Sequence, residues 1–289
     1  MNLKEGMIEV TGGKVFYQLH DNGTENTPVI VLHGGPGSSH YSLQGLRILA
    51  EDRPVIFYDQ LGCGKSDRPT DTSLWTLDRF VEELSQIRNA LNLEEFHILG
   101  HSWGTTLAAA YYLQKPEGVK SIIFSSPCLS APLWAEDQEK NRKLLPQEVQ
   151  EILTRCEENG TTDSEEYKEA TKVFNQHFVC RLDPFPEFLK QGAHFKNPEV
   201  YNIMWGPSEF HVTGNLKDFD CTGELNNIAV PTLYTCGRYD EATPKSTEYF
   251  SSLTRNGKFH VFEQSAHMPY IEEREEYVRV IGGFLKNVD

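Results

Sequence analysis

Ile98-Leu99-Gly100-His101-Ser102-Trp103-Gly104-Thr105-Thr106-Leu107 is the stretch on which the reading of this chain turns. An apolar run leads into Gly-x-Ser-x-Gly, and an Ala-rich, helix-forming run follows. That order spells strand, sharp turn, helix. Such a turn lifts a serine hydroxyl above the end of a sheet, in backbone so tight that its flanking positions must be small. Glycine on both sides removes the Cβ clashes. The rest of the chain has to supply a base, an acid, an oxyanion site and a pocket.

On the N-terminal side of this stretch, residues 28–32 and 54–58 are continuous apolar runs, as expected of strands buried on both faces. Residues 7–10 and 14–19 read as a hairpin turning at Gly12-Gly13, and 41–51 as a first helix. Leu77, Phe80, Val81, Leu84, Ile87 and Leu91 fall at helical spacing over 76–91. The strand 96–99 precedes the serine. A helix over 103–115 follows it, and then a strand over 120–125. Strand and helix alternate, which predicts a parallel sheet covered on both faces.

The alternation stops at about 128. From Leu133 to Trp205 the chain reads as charged amphipathic helices punctuated by Pro146, Pro184, Pro186 and Pro198, with separate helices in EVQEILTRCEENG and SEEYKEATKVFNQHF. Strands at 230–236 and 259–262, a helix after Pro244 and a helix over 270–286 then complete the sheet. The expected organisation is a core of residues 1–127 and 222–289, carrying eight strands, with a helical cap inserted at 128–221.

Composition narrows the function. The chain has 289 residues, 38% of them hydrophobic, with a net charge of −15. That charge repels phosphate and excludes nucleic acid as a partner. It suits a small cationic ligand, although acidity also serves solubility alone. No apolar run approaches the length of a membrane span, and the opening residues lack the apolar stretch of a secretion signal, so a cytoplasmic protein is expected. The six cysteines form no C-x-x-C pair; they read as free thiols, and no metal or cofactor is expected. Gly64-Lys65-Ser66 resembles the end of a phosphate-binding loop. The glycine such a loop needs five positions earlier is Asp59, whose charge would repel phosphate.

Serine needs a base. Of the ten histidines, His97 and His260 lie inside strands, and His177 and His194 fall in the helical insert. His33 and His101 read as loop packing. His267 stands in the loop after the last strand, at the sheet edge where the serine must emerge, and is the candidate base. Asp240, in the loop after strand 230–236, is the candidate acid that orients it; the alternative position, after strand 120–125, reads Ser125-Ser126-Pro127 and holds no acid. The order Ser102, Asp240, His267 is that of the α/β hydrolases. Acyl transfer also needs two N–H donors for the developing oxyanion. Trp103, at a helix start, and Gly35, in His33-Gly34-Gly35-Pro36-Gly37, are the candidates.

HGGPG at 33–37, YDQLGCGKSDRP at 58–69, GHSWG at 100–104, GPSEF at 206–210, GRYDEATP at 237–244 and the His267 loop together resemble the proline iminopeptidases of the α/β-hydrolase superfamily. The GP-x-EF pattern is similar to that in the cap of the tricorn-interacting members from archaea. The resemblance implies release of an N-terminal residue, often proline, from short peptides or aminoacyl amides. It implies that Glu209 and Glu241 hold the substrate's free amino terminus. Paired carboxylates suit that task through charge-assisted hydrogen bonds. Thr105 departs from the small residue many relatives carry there, without touching the proposed catalytic set. Amino-acid amidases and esterases or lactonases share the scaffold and are the competing readings.

Overall fold

The computed structural model describes residues 2–289, apart from the side chains of Phe188 and Gln191. Eight strands form one sheet: β1 (Asn2–Val10), β2 (Gly13–Asp21), β3 (Val29–Leu32), β4 (Val55–Tyr58), β5 (Phe96–His101), β6 (Val119–Ser125), β7 (Thr232–Gly237) and β8 (Gly257–Phe262). Their spatial order is β1-β2-β4-β3-β5-β6-β7-β8. The β1–β2 and β2–β4 pairs are antiparallel and all others parallel. Every residue of β3, β4 and β5 is buried, as their unbroken apolar runs require.

The period-two alternation of side chains divides the core into two halves. Ile30, Leu32, Ile98, Ile122 and Tyr234 pack with α1 (Leu77–Ala90) and α2 (Trp103–Leu113) through Phe80, Leu84, Ile87 and Leu107. Val29, Val31, Leu99, Ile123 and Leu233 pack on the opposite face, against Leu43, Leu46, Tyr277 and Ile281. Thr76 caps α1, its side chain accepting from Arg79 N, and Asp78 complements the helix dipole in the first turn.

Three elements differ from the sequence reading. Residues 40–51 form a run of 3-10 turns rather than an α-helix. Their buried leucines, 43, 46 and 49, recur every three residues, the period at which 3-10 side chains eclipse. The last helix is split into α9 (Pro269–Glu272) and α10 (Arg274–Lys286). At the break, the Glu273 carboxylate turns back to accept from Gln264 N at 2.8 Å and Ser265 Oγ at 2.5 Å. The N-terminal hairpin is also longer than its apolar residues suggest.

Between β6 and β7 lie α3 (Ala131–Arg142), α4 (Gln147–Glu158), α5 (Glu165–Phe178), α6 (Glu187–Gly192) and α7 (Pro198–Met204), with no named strand among the described residues. Leu153, Tyr167, Phe174, Phe178 and Phe210 give this segment a small core of its own. Trp134, Val200, Met204 and Trp205 instead join the main core and fasten the segment to the sheet. Helix α8 (Pro244–Leu253) follows β7.

Chain order reverses between β3 and β5, because β3 leads outward to β4 and the chain then returns to the far side of β3. Open α/β sheets form their crevice at such a point, beyond the carboxyl ends of the strands. Leu32 pairs with Gly100 there, so the 33–37 loop and Ser102 leave the sheet side by side.

The approach of α2 to β3 depends on Gly104, where a Cβ would lie 2.2 Å from Leu32 O. Gly104→Ala is therefore expected to destabilise the fold by about 3 kcal/mol. Thermal unfolding should show Tm lowered by roughly 6–10 °C; an unchanged Tm would mean that the helix sits farther from the sheet than described.

Candidate active site

Ser102 is held at φ 54°, ψ −125°, outside the regions a serine ordinarily occupies. Its N–H donates to Ser125 O at 3.1 Å, and its carbonyl accepts from Thr105 N at 2.8 Å, so both neighbours pin the turn. A Cβ on Gly100 would lie 2.3 Å from Gly104 O, which is why the turn carries glycine at both places. The 33–37 loop presses against the serine; a Cβ on Gly34 would lie 3.1 Å from Ser102 Cβ.

Asp240 and His267 leave β7 and β8 at the same rim. The imidazole Nδ1–H donates to Asp240 Oδ1 at 2.7 Å. Asp240 is fully engaged: Oδ1 also accepts from Ala242 N at 2.8 Å, and Oδ2 accepts from Ser126 Oγ at 2.6 Å and Gly237 N at 3.2 Å. His267 is buried, which disfavours its charged form, yet Asp240 and then Glu209 and Glu272 outweigh that and raise its pKa above 6.5. Ser102 and His267 line the same cavity, of about 900 Å³. No hydrogen bond joins Ser102 Oγ to His267 Nε2; Nε2 instead lies 3.6 Å from Glu241 Oε1. Catalytic contacts of this kind commonly tighten only around substrate.

The two glutamates differ in setting. Glu209 lines the cavity, and the Glu241 carboxyl, 1% exposed, faces Nε2 of the imidazole. Neither Glu241 oxygen has a hydrogen-bond partner within the protein. Burial, then the charges of Glu209 and Asp240, push its carboxyl well above the usual range. Burial also raises Glu209, against the opposing pull of His267, Tyr201 and Lys196. Helix α3 grips both by their main chains. Trp134 Nε1 donates to Glu209 O and, one turn on, Gln138 Nε2 donates to Glu241 O, each at 2.8 Å. One helix thereby holds a residue of the inserted segment and a residue of the loop after β7 together.

The N–H groups of Gly35 and Trp103 donate to no acceptor among the described residues. Gly35 has φ +119°, and a Cβ there would lie 2.7 Å from Gly37 N. Trp103 opens α2, whose dipole favours negative charge. The loop that mimics a phosphate-binding sequence is wound around its own acid: Asp59 Oδ2 accepts from Lys65 N at 2.9 Å.

A family model of the alpha/beta hydrolase fold matches residues 27–274. A curated proline iminopeptidase of Heyndrickxia coagulans is 70% identical over 285 residues, covering 98% of this chain and 99% of that one. The chain belongs to the proline iminopeptidase family of α/β hydrolases. Among solved structures, VinJ superposes with a TM-score of 0.95 at 34% identity, over 99% of both chains. The proline iminopeptidase of Mycobacterium smegmatis does so with a TM-score of 0.90 at 34% identity, over 98% of both.

This family member uses supporting residues that sequence reasoning passed over. Ser126 was visible only as the absence of an acid, yet its hydroxyl serves the acid on the next strand. His101, read as loop packing, donates from Nε2 to His267 O at 2.9 Å. Gln60 ties the loops together: its N–H donates to His33 Nε2 at 3.0 Å, its Nε2 donates to His33 O at 3.1 Å, and its Oε1 accepts from Trp103 Nε1 at 2.8 Å. Glu272 accepts from Ala266 N at 2.8 Å and from Arg181 N at 2.7 Å, joining the His267 loop to the inserted segment. A glutamine or glutamate in a polar loop gives no sign of such roles. Of the aromatics in the inserted segment, Phe185 lines the cavity, whereas Phe174 and Phe178 form core.

Imidazole titration by NMR tests the electrostatics. His267 is expected to titrate above pH 6.5, while burial keeps His101 neutral down to about pH 3. Asp240→Asn removes the leading counter-charge, so burial should carry His267 below 6.5. A His267 that keeps its raised pKa in Asp240→Asn would refute the assignment of cause.

Proposed function

We propose that the protein is a serine exopeptidase that releases an N-terminal residue, preferentially proline, from short peptides or aminoacyl amides. The observation that carries this reading is Glu241: a buried carboxyl with no hydrogen bond from the protein, 3.6 Å from His267 Nε2, with Glu209 near enough to raise its pKa. A buried carboxylate without a partner is costly, and a cationic ligand resolves it. Prolyl imino termini are secondary ammonium groups carrying two N–H bonds, one for each glutamate. A primary ammonium has a third, which the pair leaves unserved. An esterase or lactonase would have no use for either carboxylate.

In this reading the ammonium, held by Glu209 and Glu241, delivers the first carbonyl to Ser102. The Ser102 Oγ attacks as His267 Nε2 takes its proton, while Asp240 fixes the tautomer and stabilises the imidazolium. The N–H groups of Gly35 and Trp103 receive the oxyanion. His267 returns the proton to the leaving amine, and water, deprotonated by the same imidazole, hydrolyses the prolyl ester of Ser102. Residues 128–221 serve as a cap that brings Glu209 over the core. The six cysteines are all buried and unpaired, which supports the cytoplasm as the compartment.

Blocking the amine provides the test. Prolyl p-nitroanilide should be cleaved, its N-acetyl derivative should lose activity by about a thousandfold or more, and Ser102→Ala should abolish turnover. Glu209→Gln should reduce cleavage of the free-amine substrate about a hundredfold while sparing an ester without an amine. Since His267 must be neutral and both glutamates charged, kcat/KM should rise with pH through neutrality, with its acid limb above 6.5. Equal turnover of free and acetylated substrates would contradict the reading.

A further inference from the structure

We propose that the part of the cavity beyond the catalytic residues is a subsite for the departing peptide, in which the Lys196 ammonium binds the C-terminal carboxylate of a di- or tripeptide. The proposal rests on the exopeptidase reading and adds the other end of the substrate.

The space itself calls for an occupant. About 900 Å³ is room for a drug-sized ligand, far beyond one prolyl residue. The lining continues from Ser102 and Glu209 along α5 and the 182–198 segment. Its charges run against those of the molecule. In a chain with 42 acids and 27 bases, the residues lining this part of the cavity include Lys172, Lys190 and Lys196 but the single acid Asp183.

Only one of these lysines is uncommitted. Lys172 and Lys190 are paired with Glu169 and Glu187, each three residues earlier on the same helix. Lys196 makes no ion pair among the described residues, and it is exposed toward a cavity it helps to line. Its charge already reaches the site, since it favours the ionised form of Glu209.

Its main chain is anchored at the right place. The next residue, Asn197, donates its N–H to Gly37 O at 2.8 Å and its Nδ2 to Gly62 O at 2.7 Å. Lys196 therefore stands one residue from a contact with the loop that carries Gly35. Successive residues of a bound peptide are about 3.8 Å apart, so a carboxylate one or two residues past the scissile bond lies within reach of a lysine side chain rooted there. In the same cavity, the Asn175 amide has a buried Oδ1 with no protein partner, an acceptor for a peptide N–H. An amide acceptor and a cation together match the terminal residue of a peptide. Such a subsite also gives a physical reason for short substrates, because only there does the carboxylate fall at the lysine.

The experiment compares Pro-Ala with Pro-Ala-NH2, which differ only in the terminal charge. For the unaltered protein, kcat/KM should favour the free acid by about fivefold through KM, the scale of one solvent-exposed ion pair. In Lys196→Met the ratio of acid to amide should fall to about one, and in Lys196→Glu it should drop below one. A ratio near one in the unaltered protein would overturn the proposal. So would a ratio that stays unchanged in both variants, even with slower turnover, because Lys196 would then act only through Glu209. Cleavage of neither peptide would overturn the exopeptidase reading itself, and the subsite with it.

Discussion

A buried carboxyl without a hydrogen bond from the protein is the constraint around which this molecule is arranged. Glu241 lies 3.6 Å from Nε2 of His267, near enough to Glu209 and Asp240 for both charges to raise its pKa. Like charges in one desolvated place oppose one another's ionisation, and burial with the charges of Glu209 and Asp240 raises the Glu241 carboxyl. The surrounding structure holds this arrangement rather than relieving it. Trp134 and Gln138 fix the main chains of Glu209 and Glu241 by their carbonyls. Asp137, on the same helix, accepts from Thr243 Oγ1 at 2.7 Å and from Ser246 Oγ, which steadies the loop after β7.

The second requirement is a rigid platform, and the sheet provides it at its reversal point. The strain at Ser102 persists because backbone bonds from both sides and the steric fit of Gly100 and Gly104 leave the turn no alternative. Buried neutral histidines complete the scaffold. Burial lowers His33 to about 4 and His101 to about 3, so each keeps one donor and one acceptor nitrogen at neutral pH. His101 uses its donor to fix the backbone of His267, while His33 accepts from Gln60 and so fixes the loop before Gly35.

Much of this was legible in the amino-acid sequence, for identifiable reasons. Buried parallel strands are continuous apolar runs, so the order and type of the central elements could be read directly. The serine announces itself because a tight turn excludes most residues on either side. Asp240 and His267 follow from their positions after strands rather than from any local motif. Glu209 became a candidate only through resemblance, since nothing in GPSEF distinguishes a buried, cavity-lining glutamate from a solvated one. Less was legible where side chains act on distant main chain. Ser126, Gln60 and Glu272 each make a contact across more than 40 residues of chain, and short-range patterns do not encode those. The 3-10 character of 40–51 was present in the spacing of its leucines, but a three-residue period is easily taken for 3.6.

The central claim is that a substrate's ammonium replaces protons held by the buried glutamates. Calorimetry on the Ser102→Ala protein with prolinamide, repeated at pH 7 in buffers of different ionisation enthalpy, measures that exchange directly. The account expects binding accompanied by release of roughly one proton, and no binding of N-acetylprolinamide. Binding of both ligands with equal affinity and no proton release would contradict it.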